Sequence, residues 1–153
     1  MSLFTDPRRI PENYGLKIAG GLIVFFLLMK VVGLAHIYEL RFLNVFIQIA
    51  GIYYALKKFK ETHGQHINYF RALVTGVTTG AIGSVIFAVC LFAYLMIDTG
   101  MMQDVMVKEP MGQYLNPYIT AFMVALEGVF SGLLFTFVLI NYLPTDEVSD
   151  KIG

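Results

Sequence analysis

Four long apolar stretches limit what this chain can fold into more than any other feature. They cover residues 16–35, 40–56, 70–97 and 117–143, and each reaches the roughly 17 to 25 residues that a helix needs to cross about 30 Å of hydrocarbon. Backbone groups in lipid must be hydrogen-bonded within their own segment, and none of the stretches alternates with the period of two that a barrel strand requires. The sequence therefore predicts an all-α, polytopic membrane protein with four transmembrane helices arranged as two hairpins.

The composition agrees with a lipid environment. Hydrophobic residues make up 57% of the chain and charged residues 14%, whereas a soluble domain has about 45–50% and about 25%. The formal net charge is zero, which gives no indication of nucleic-acid binding. Because no large extramembrane segment separates the stretches, we expect residues 1–153 to form a single four-span membrane domain. The lipid bilayer is then one partner of this domain.

The distribution of lysine and arginine predicts the orientation of this domain. Eight basic residues lie near the ends that would share one side of the membrane, namely Arg8, Arg9, Lys17, Lys57, Lys58, Lys60, Arg71 and Lys151, and three lie toward the other side, namely Lys30, Arg41 and Lys108. Because cytoplasmic loops carry the excess of basic residues, both termini are predicted to be cytoplasmic. A cleavable signal peptide is the alternative for the first stretch, but the length of that stretch and Lys30 near its end favour a retained span.

Small residues mark the faces through which the helices are expected to pack. The third stretch has them at strict four-residue spacing, at Ala72, Gly76, Gly80, Ser84 and Ala88. The fourth stretch has a less regular series, at Ala121, Ala125, Gly128 and Gly132. Such series allow close approach of helix backbones in lipid. The groove of the third helix would take the fourth helix of the same chain, a second copy of the chain, or another protein.

Ionisable and amide side chains inside the stretches are the candidates for chemistry. Glu127 lies well within the fourth stretch, where a charge is costly and normally faces a partner or a water-filled cavity. It is interpreted as one member of an intramembrane ion pair with Lys30, as a proton or cation site, or as a neutral, protonated side chain. Asn44 and Gln48 lie one turn apart in the second stretch, and they either line a polar path or hydrogen-bond between helices.

No catalytic motif accompanies these residues. A nucleophile with its base, a glycine-rich phosphate loop and a paired carboxylate site are all missing from the sequence, so neither enzymatic activity nor a cofactor is predicted. His63 and His66, with Glu61 nearby, form only a weak zinc pattern, and Gly64 between them favours a solvated turn. No metal site is expected there.

Four methionines crowd the segment between the third and fourth stretches, at Met101, Met102, Met106 and Met111. A thioether cluster can bind copper(I). The surrounding valine, leucine and tyrosine residues instead favour an apolar loop that lies on the bilayer surface or against a neighbouring protein.

Three segments carry a family resemblance. They are Asn13-Tyr14-Gly15 at the start of the first stretch, residues 51–59 (GIYYALKKF) at the end of the second, and residues 64–72 at the start of the third. In these segments the chain resembles a bacterial family of small four-helix inner-membrane proteins, number four-one-nine-nine in the domain-of-unknown-function series. The resemblance implies a four-span fold in the bacterial inner membrane, and it implies no activity and no site residue.

The functional expectation follows from the small-residue grooves and the lack of soluble mass. We expect a non-enzymatic integral membrane protein that packs laterally against other membrane proteins or itself, as an accessory or structural subunit or as an assembly factor. The alternative is a small oligomeric transporter or channel that uses Glu127.

Overall fold

The structure, a computed structural model, describes residues 9–34, 42–63 and 68–143. In this part of the chain the regular structure is entirely helical. The helices are α1 (Ile10–Val31), α2 (Phe42–His63), α3 (Tyr69–Ile97), α4 (Thr99–Lys108) and α5 (Pro117–Tyr142), with a 3₁₀ turn at Gly112–Tyr114. The predicted all-α fold is thus confirmed for the described residues.

The four long helices pack as an up-and-down bundle. Ile18 of α1 contacts Gly51 of α2, and Gly21 of α1 faces Ile47, so α1 and α2 are antiparallel. α3 runs parallel to α1, and it packs along both α1 and α5. α2 contacts all three of the other long helices. The C-terminal ends of α1 and α3 therefore meet the N-terminal ends of α2 and α5 at one end of the bundle.

The closest helix pair is α3 with α5. Gly76 faces Thr136, and Ser84 contacts Gly128. Midway between them, a Cβ atom on Gly80 would lie 3.2 Å from the Cα atom of Gly132. The groove of α3 that the sequence predicts is therefore occupied by α5 of the same chain.

The small residues at these contacts are mostly inaccessible. All five residues of the α3 series are buried, as are Ala121 and Gly132 of the α5 series, while Ala125 and Gly128 are half-buried. In lipid, where burial of apolar side chains against another helix gains little, this close backbone approach supplies the packing attraction. The α3 groove is thus filled by α5 and is not exposed for another protein.

Three helices, α1, α3 and α5, are long and apolar enough to cross a membrane. α2 has 22 residues, as many as α1, but it is not among these candidates. Asn44, Gln48 and the basic residues near its C-terminal end lower its mean hydropathy. The described helices therefore indicate a membrane-embedded protein with three clear spans.

Three boundaries differ from the predicted ones. α1 ends at Val31, before the predicted end of the first stretch at residue 35. α1 begins at Ile10, ahead of the apolar stretch, because Pro11 suits a first helical turn. α2 continues to His63, so that Lys57, Lys58 and Lys60 lie on the helix rather than beyond it. Apolar length indicates where a helix meets lipid, and it does not indicate where the helix itself ends.

The segment between α3 and α5 also differs, because it contains α4 instead of an irregular loop. Asp98 accepts a hydrogen bond from the backbone N–H of Met101 at 3.1 Å and so caps the first turn of α4. Asn116 caps α5 in the same way through Ile119 N–H at 2.8 Å, and Pro117 follows as the first helical residue. The start of α5 at residue 117 agrees with the prediction.

Candidate functional site

A cavity of about 1130 Å³ lies at the end of the bundle where α1 and α3 finish and α2 and α5 begin. We call this the cavity end. All four long helices line the cavity, and α4 contributes to its outer wall. The opposite end of the bundle, which we call the basic end, carries six of the eight described lysines and arginines, namely Arg9, Lys17, Lys57, Lys58, Lys60 and Arg71. The cavity therefore opens at the end that is poorer in basic residues.

The walls of the cavity are mostly apolar. Leu22, Phe26, Phe87, Leu91 and Val124 line it from α1, α3 and α5. The ring of Phe26 makes an edge contact with that of Phe87, at 6.4 Å between centroids. Walls of this kind favour a ligand with an apolar body.

Gln48 forms the floor of the cavity by joining α2 to α3 and α5. Its Nε2 atom donates to the carbonyl oxygen of Gly128 at 2.7 Å and to Ser84 Oγ at 3.3 Å. Its Oε1 atom accepts from Ser131 Oγ at 2.9 Å. Gln48 is 5% exposed, so these bonds satisfy an amide that is otherwise costly to bury. Of the two roles that the sequence left open for Gln48, its contacts are those of a hydrogen bond between helices.

An ion pair lies at the rim of the cavity. Lys30 Nζ donates to Asp98 Oδ2 at 2.5 Å, and the hydroxyl of Tyr94 donates to the same oxygen at 2.7 Å. Lys30 Nζ also lies 4.3 Å from the centroid of the Tyr94 ring, in cation–π geometry. The pair ties the end of α1 to the junction between α3 and α4.

Asp98 follows the last residue of α3, and its ionised form is favoured there. The hydrogen bond from Lys30 holds the pKa of Asp98 below its ordinary value of 3.8, and the backbone N–H of Met101 acts in the same direction. Partial desolvation opposes this shift. Asp98 is therefore a carboxylate at neutral pH.

Two further polar groups lie in the first turns of α2 and α5. Asn44 and Thr120 both line the cavity. Asn44 Oδ1 and Thr120 Oγ1 are buried atoms with no hydrogen-bond partner among the described residues. Buried polar atoms in native proteins are normally satisfied, but because these two atoms are inaccessible, a molecule in the cavity does not reach them.

The structure gives Lys30 a different partner from the one that the sequence suggested. Lys30 bonds to Asp98, whereas Glu127 lines the cavity with an exposed side chain and has an interaction of its own. A proton or cation role for Glu127 stays a prediction.

The structure describes only part of the zinc pattern that the sequence contains. His63 is exposed at the end of α2, with its Nδ1 atom 3.2 Å from the carbonyl oxygen of Phe59, and His66 lies outside the described residues. Within residues 9–34, 42–63 and 68–143 no group of three histidine, cysteine or acidic side chains could hold a metal ion. Of the methionines, Met102 is buried, while Met101 and Met111 line the cavity.

Sequence reasoning missed Asp98 and the cavity itself. A signal for Asp98 was present, because it directly follows the third stretch, and Lys30 ends the first stretch on the same side of the membrane. Tyr94 lies one turn before Asp98, where its hydroxyl can reach the carboxylate. The cavity had no such signal, because it depends on how far the helices separate.

Comparison with known proteins gives one match. A family model described as "Protein of unknown function (DUF4199)" matches residues 13–140. No curated protein and no solved structure matches the chain.

Proposed function

We propose that this chain, which belongs to the DUF4199 family of proteins of unknown function, is a non-enzymatic four-span protein of the bacterial inner membrane that binds a small molecule in its cavity. The observation that carries the proposal is the cavity of about 1130 Å³, in which polar groups from α1, α2, α3 and α5 meet apolar walls. A large apolar cavity with a few convergent polar groups is the usual form of a ligand site.

Binding is proposed rather than catalysis because the ion pair at the rim and the amide at the floor already take part in hydrogen bonds within the protein. The carboxylate of Asp98 takes hydrogen bonds from Lys30, Tyr94 and Met101. Both N–H groups of the Gln48 amide are also used. A general base or nucleophile needs a free lone pair directed at a substrate.

A fourth span, α2, is part of the proposal. From its start to Tyr54, α2 exposes large apolar side chains, with Phe42 at 70%, Phe46 at 66% and Tyr54 at 56% exposure. Its polar residues Asn44 and Gln48 line the cavity instead. A helix that exposes apolar side chains and turns its polar side chains toward a cavity is compatible with lipid, even though its mean hydropathy is lower than that of the other long helices. Four spans, with the basic end in the cytoplasm, place both termini there.

The test is native mass spectrometry of protein extracted in a mild detergent. We expect a small molecule to be retained in fixed proportion by the wild-type protein and by Val138→Trp, which changes an exposed residue on α5. Val124→Trp, which fills the cavity from the same helix, is expected to lose it. Equal retention by both variants, or no retained molecule, would contradict the proposal.

A transport role is the alternative for the same cavity. Asn44, Gln48 and Glu127 all line it, as a polar path would require. Below the floor, however, Ile52 and Thr79 are fully buried, so flux would need the helices to rearrange. Reconstituted protein with flux that Glu127→Gln abolishes would support transport, and equal flux in the variant would oppose it.

An accessory subunit or assembly factor is the second candidate function. The observation in its favour is an exposed apolar patch around the end of α4, formed by Met106, Val107, Met111 and Tyr114. Such a patch outside the spans suits contact with another membrane protein. We expect a partner to be isolated with the wild-type protein and to be lost with Val107→Glu. A partner retained by Val107→Glu would remove this support.

A further inference from the structure

All the polar hydrogens of Gln48, Ser84 and Ser131 at the floor of the cavity already take part in hydrogen bonds. An amide nitrogen has two donor hydrogens, and those of Gln48 go to Gly128 and Ser84. The hydroxyl of Ser84 donates to the carbonyl oxygen of Gly80 at 2.8 Å. The single hydroxyl hydrogen of Ser131 faces Gln48 Oε1 at 2.9 Å and Gly128 O at 3.1 Å.

The remaining hydrogen-bonding capacity of the floor is therefore acceptor capacity. The second lone pair of Gln48 Oε1 and the lone pairs of Ser131 Oγ are not used by these bonds. Ser131 is only half-buried, and it lines the cavity. The floor thus favours a ligand that brings a donor.

Charge limits the ligand further. A carboxylate at the floor would meet acceptors only, and any ion there would lie between apolar walls, where its desolvation is costly. At the rim, the charges of Lys30 and Asp98 are already paired with each other. The carboxylate of Glu127 also has an interaction of its own, and the charged residues Asp104 and Lys108 belong to α4, at the outer wall rather than at the floor. An uncharged donor, such as a hydroxyl group, fits this environment best.

The depth of the cavity sets the length of the apolar body. Thr120 lines the cavity near the start of α5, and Gly128 lines its floor. Eight residues of α-helix separate them along α5, which corresponds to about 12 Å. A molecule of this length reaches from the rim to the floor.

We infer that the cavity binds an uncharged amphiphile, with an apolar body about 12 Å long and a hydroxyl group that donates to the floor at Ser131 and Gln48. This inference rests on the proposed function, because it names the ligand class of the same cavity.

The test uses decanol carrying a mid-chain diazirine as a photoaffinity probe, with protein in lipid nanodiscs and labelled peptides identified by mass spectrometry. Unlabelled decanol, decyl methyl ether, decanoate and decylammonium compete with the probe. We expect labelling of the cavity walls, with decanol competing about three- to tenfold better than its methyl ether, as loss of one hydrogen bond predicts. Decanoate and decylammonium should compete less well than decanol.

Three variants separate the possible failures. Val124→Trp should abolish cavity labelling, and Val138→Trp, on the lipid-facing side of α5, should not. The double variant Ser131→Ala with Gln48→Leu, which removes both acceptors, should label but lose the preference for decanol over the ether. If Val124→Trp labels like the wild type, the proposed function itself is wrong. If cavity labelling is saturable but the ether, decanoate or decylammonium competes as well as decanol, or the double variant keeps the preference, only the ligand inference is overturned.

Discussion

Gly76 of α3 lies directly against Thr136 of α5. A Cβ atom at this position would overlap the side chain of Thr136, lying 2.7 Å from Oγ1 and 3.1 Å from Cβ. Because Thr136 is itself fully buried, it has no space to move into. We therefore expect Gly76→Ala to lower the free energy of unfolding by about 1–3 kcal/mol, the usual cost of overpacking, as measured by denaturant titration in detergent micelles.

A matched glycine and a compensating change serve as controls. Gly20 of α1 has no atom within 4 Å of its Cβ position, so Gly20→Ala should be neutral or should stabilise by about 0.5–1 kcal/mol, because alanine is the better helix former. Adding Thr136→Ala to Gly76→Ala should recover part of the loss. Equal effects of Gly76→Ala and Gly20→Ala would show that the two helices are not in this contact.

Gln48 is the most connected polar side chain inside the bundle. Gln48→Leu removes its bonds to Ser84, Gly128 and Ser131. Since a side-chain hydrogen bond between membrane helices contributes about 0.6 kcal/mol on average and up to about 1.7, we expect a loss of about 1–3 kcal/mol in the same titration. Gln103→Leu on the exposed side of α4 is the control, with an expected change within about 0.5 kcal/mol. A Gln48→Leu effect as small as that control would mean that the floor does not hold the helices together.

Individual residues were predictable from the sequence to different degrees. The small residues of α3 could be identified because their spacing alone places them on one face. The partners of Lys30 and Gln48 could not be identified, because they lie on other helices, and each partner depends on how those helices are rotated and shifted. Glu127 attracted attention as a charge in an apolar stretch, yet its side chain is exposed at the cavity.

At the level of helices, Asp98 connects three elements. It ends α3, caps α4 and pairs with Lys30 of α1. Its pKa is lowered, so its ionised form stabilises the folded protein. This contribution is fully present above the ordinary value of 3.8, and it is lost as the pH falls through the lowered pKa of the folded protein.

The corresponding prediction compares Asp98→Asn with the wild type by thermal unfolding across a pH series. We expect the wild type to be the more stable protein at neutral pH, and the difference to shrink as the pH falls below about 3.8. Lys30→Met removes the main cause of the pKa shift, so it should weaken this pH dependence. A difference between wild type and Asp98→Asn that stays constant down to the lowest pH would contradict the assignment.

The helices themselves were more predictable than the connection between α3 and α5. Apolar length, together with Asn116 and Pro117, correctly indicated where α5 begins, since these are local properties of the chain. α4 was missed because its sequence is neither long nor strongly apolar, and its first turn depends on Asp98. A helix that is stabilised by one cap and by its contacts has little signal in composition.

For the whole molecule, the proposed orientation leads to a labelling prediction. In a Cys90→Ser background, a cysteine at Lys108 should react with a membrane-impermeant maleimide added outside intact cells. A cysteine at Glu61, at the basic end, should react only after the membrane is opened. The physical reason is that basic residues are retained on the cytoplasmic side. The reverse pattern would invert the bundle and place the cavity on the cytoplasmic side.

The directions of the long helices follow from chain connectivity, because consecutive spans must run in opposite directions. The cavity does not follow from it. Its existence depends on how far the helices separate near its end of the bundle, and that separation is set by the combined bulk of side chains from several helices. No single segment of the sequence contains this information.

The contacts between α3 and α5 repeat every four residues, as Gly76–Thr136, Gly80–Gly132 and Ser84–Gly128. Sliding one helix by four residues, about 6 Å, would again bring small residues opposite small residues. Shape therefore allows more than one register of α3 against α5. The hydrogen bonds of Gln48 to both helices distinguish these alignments, so a glutamine on a third helix determines which one the chain adopts.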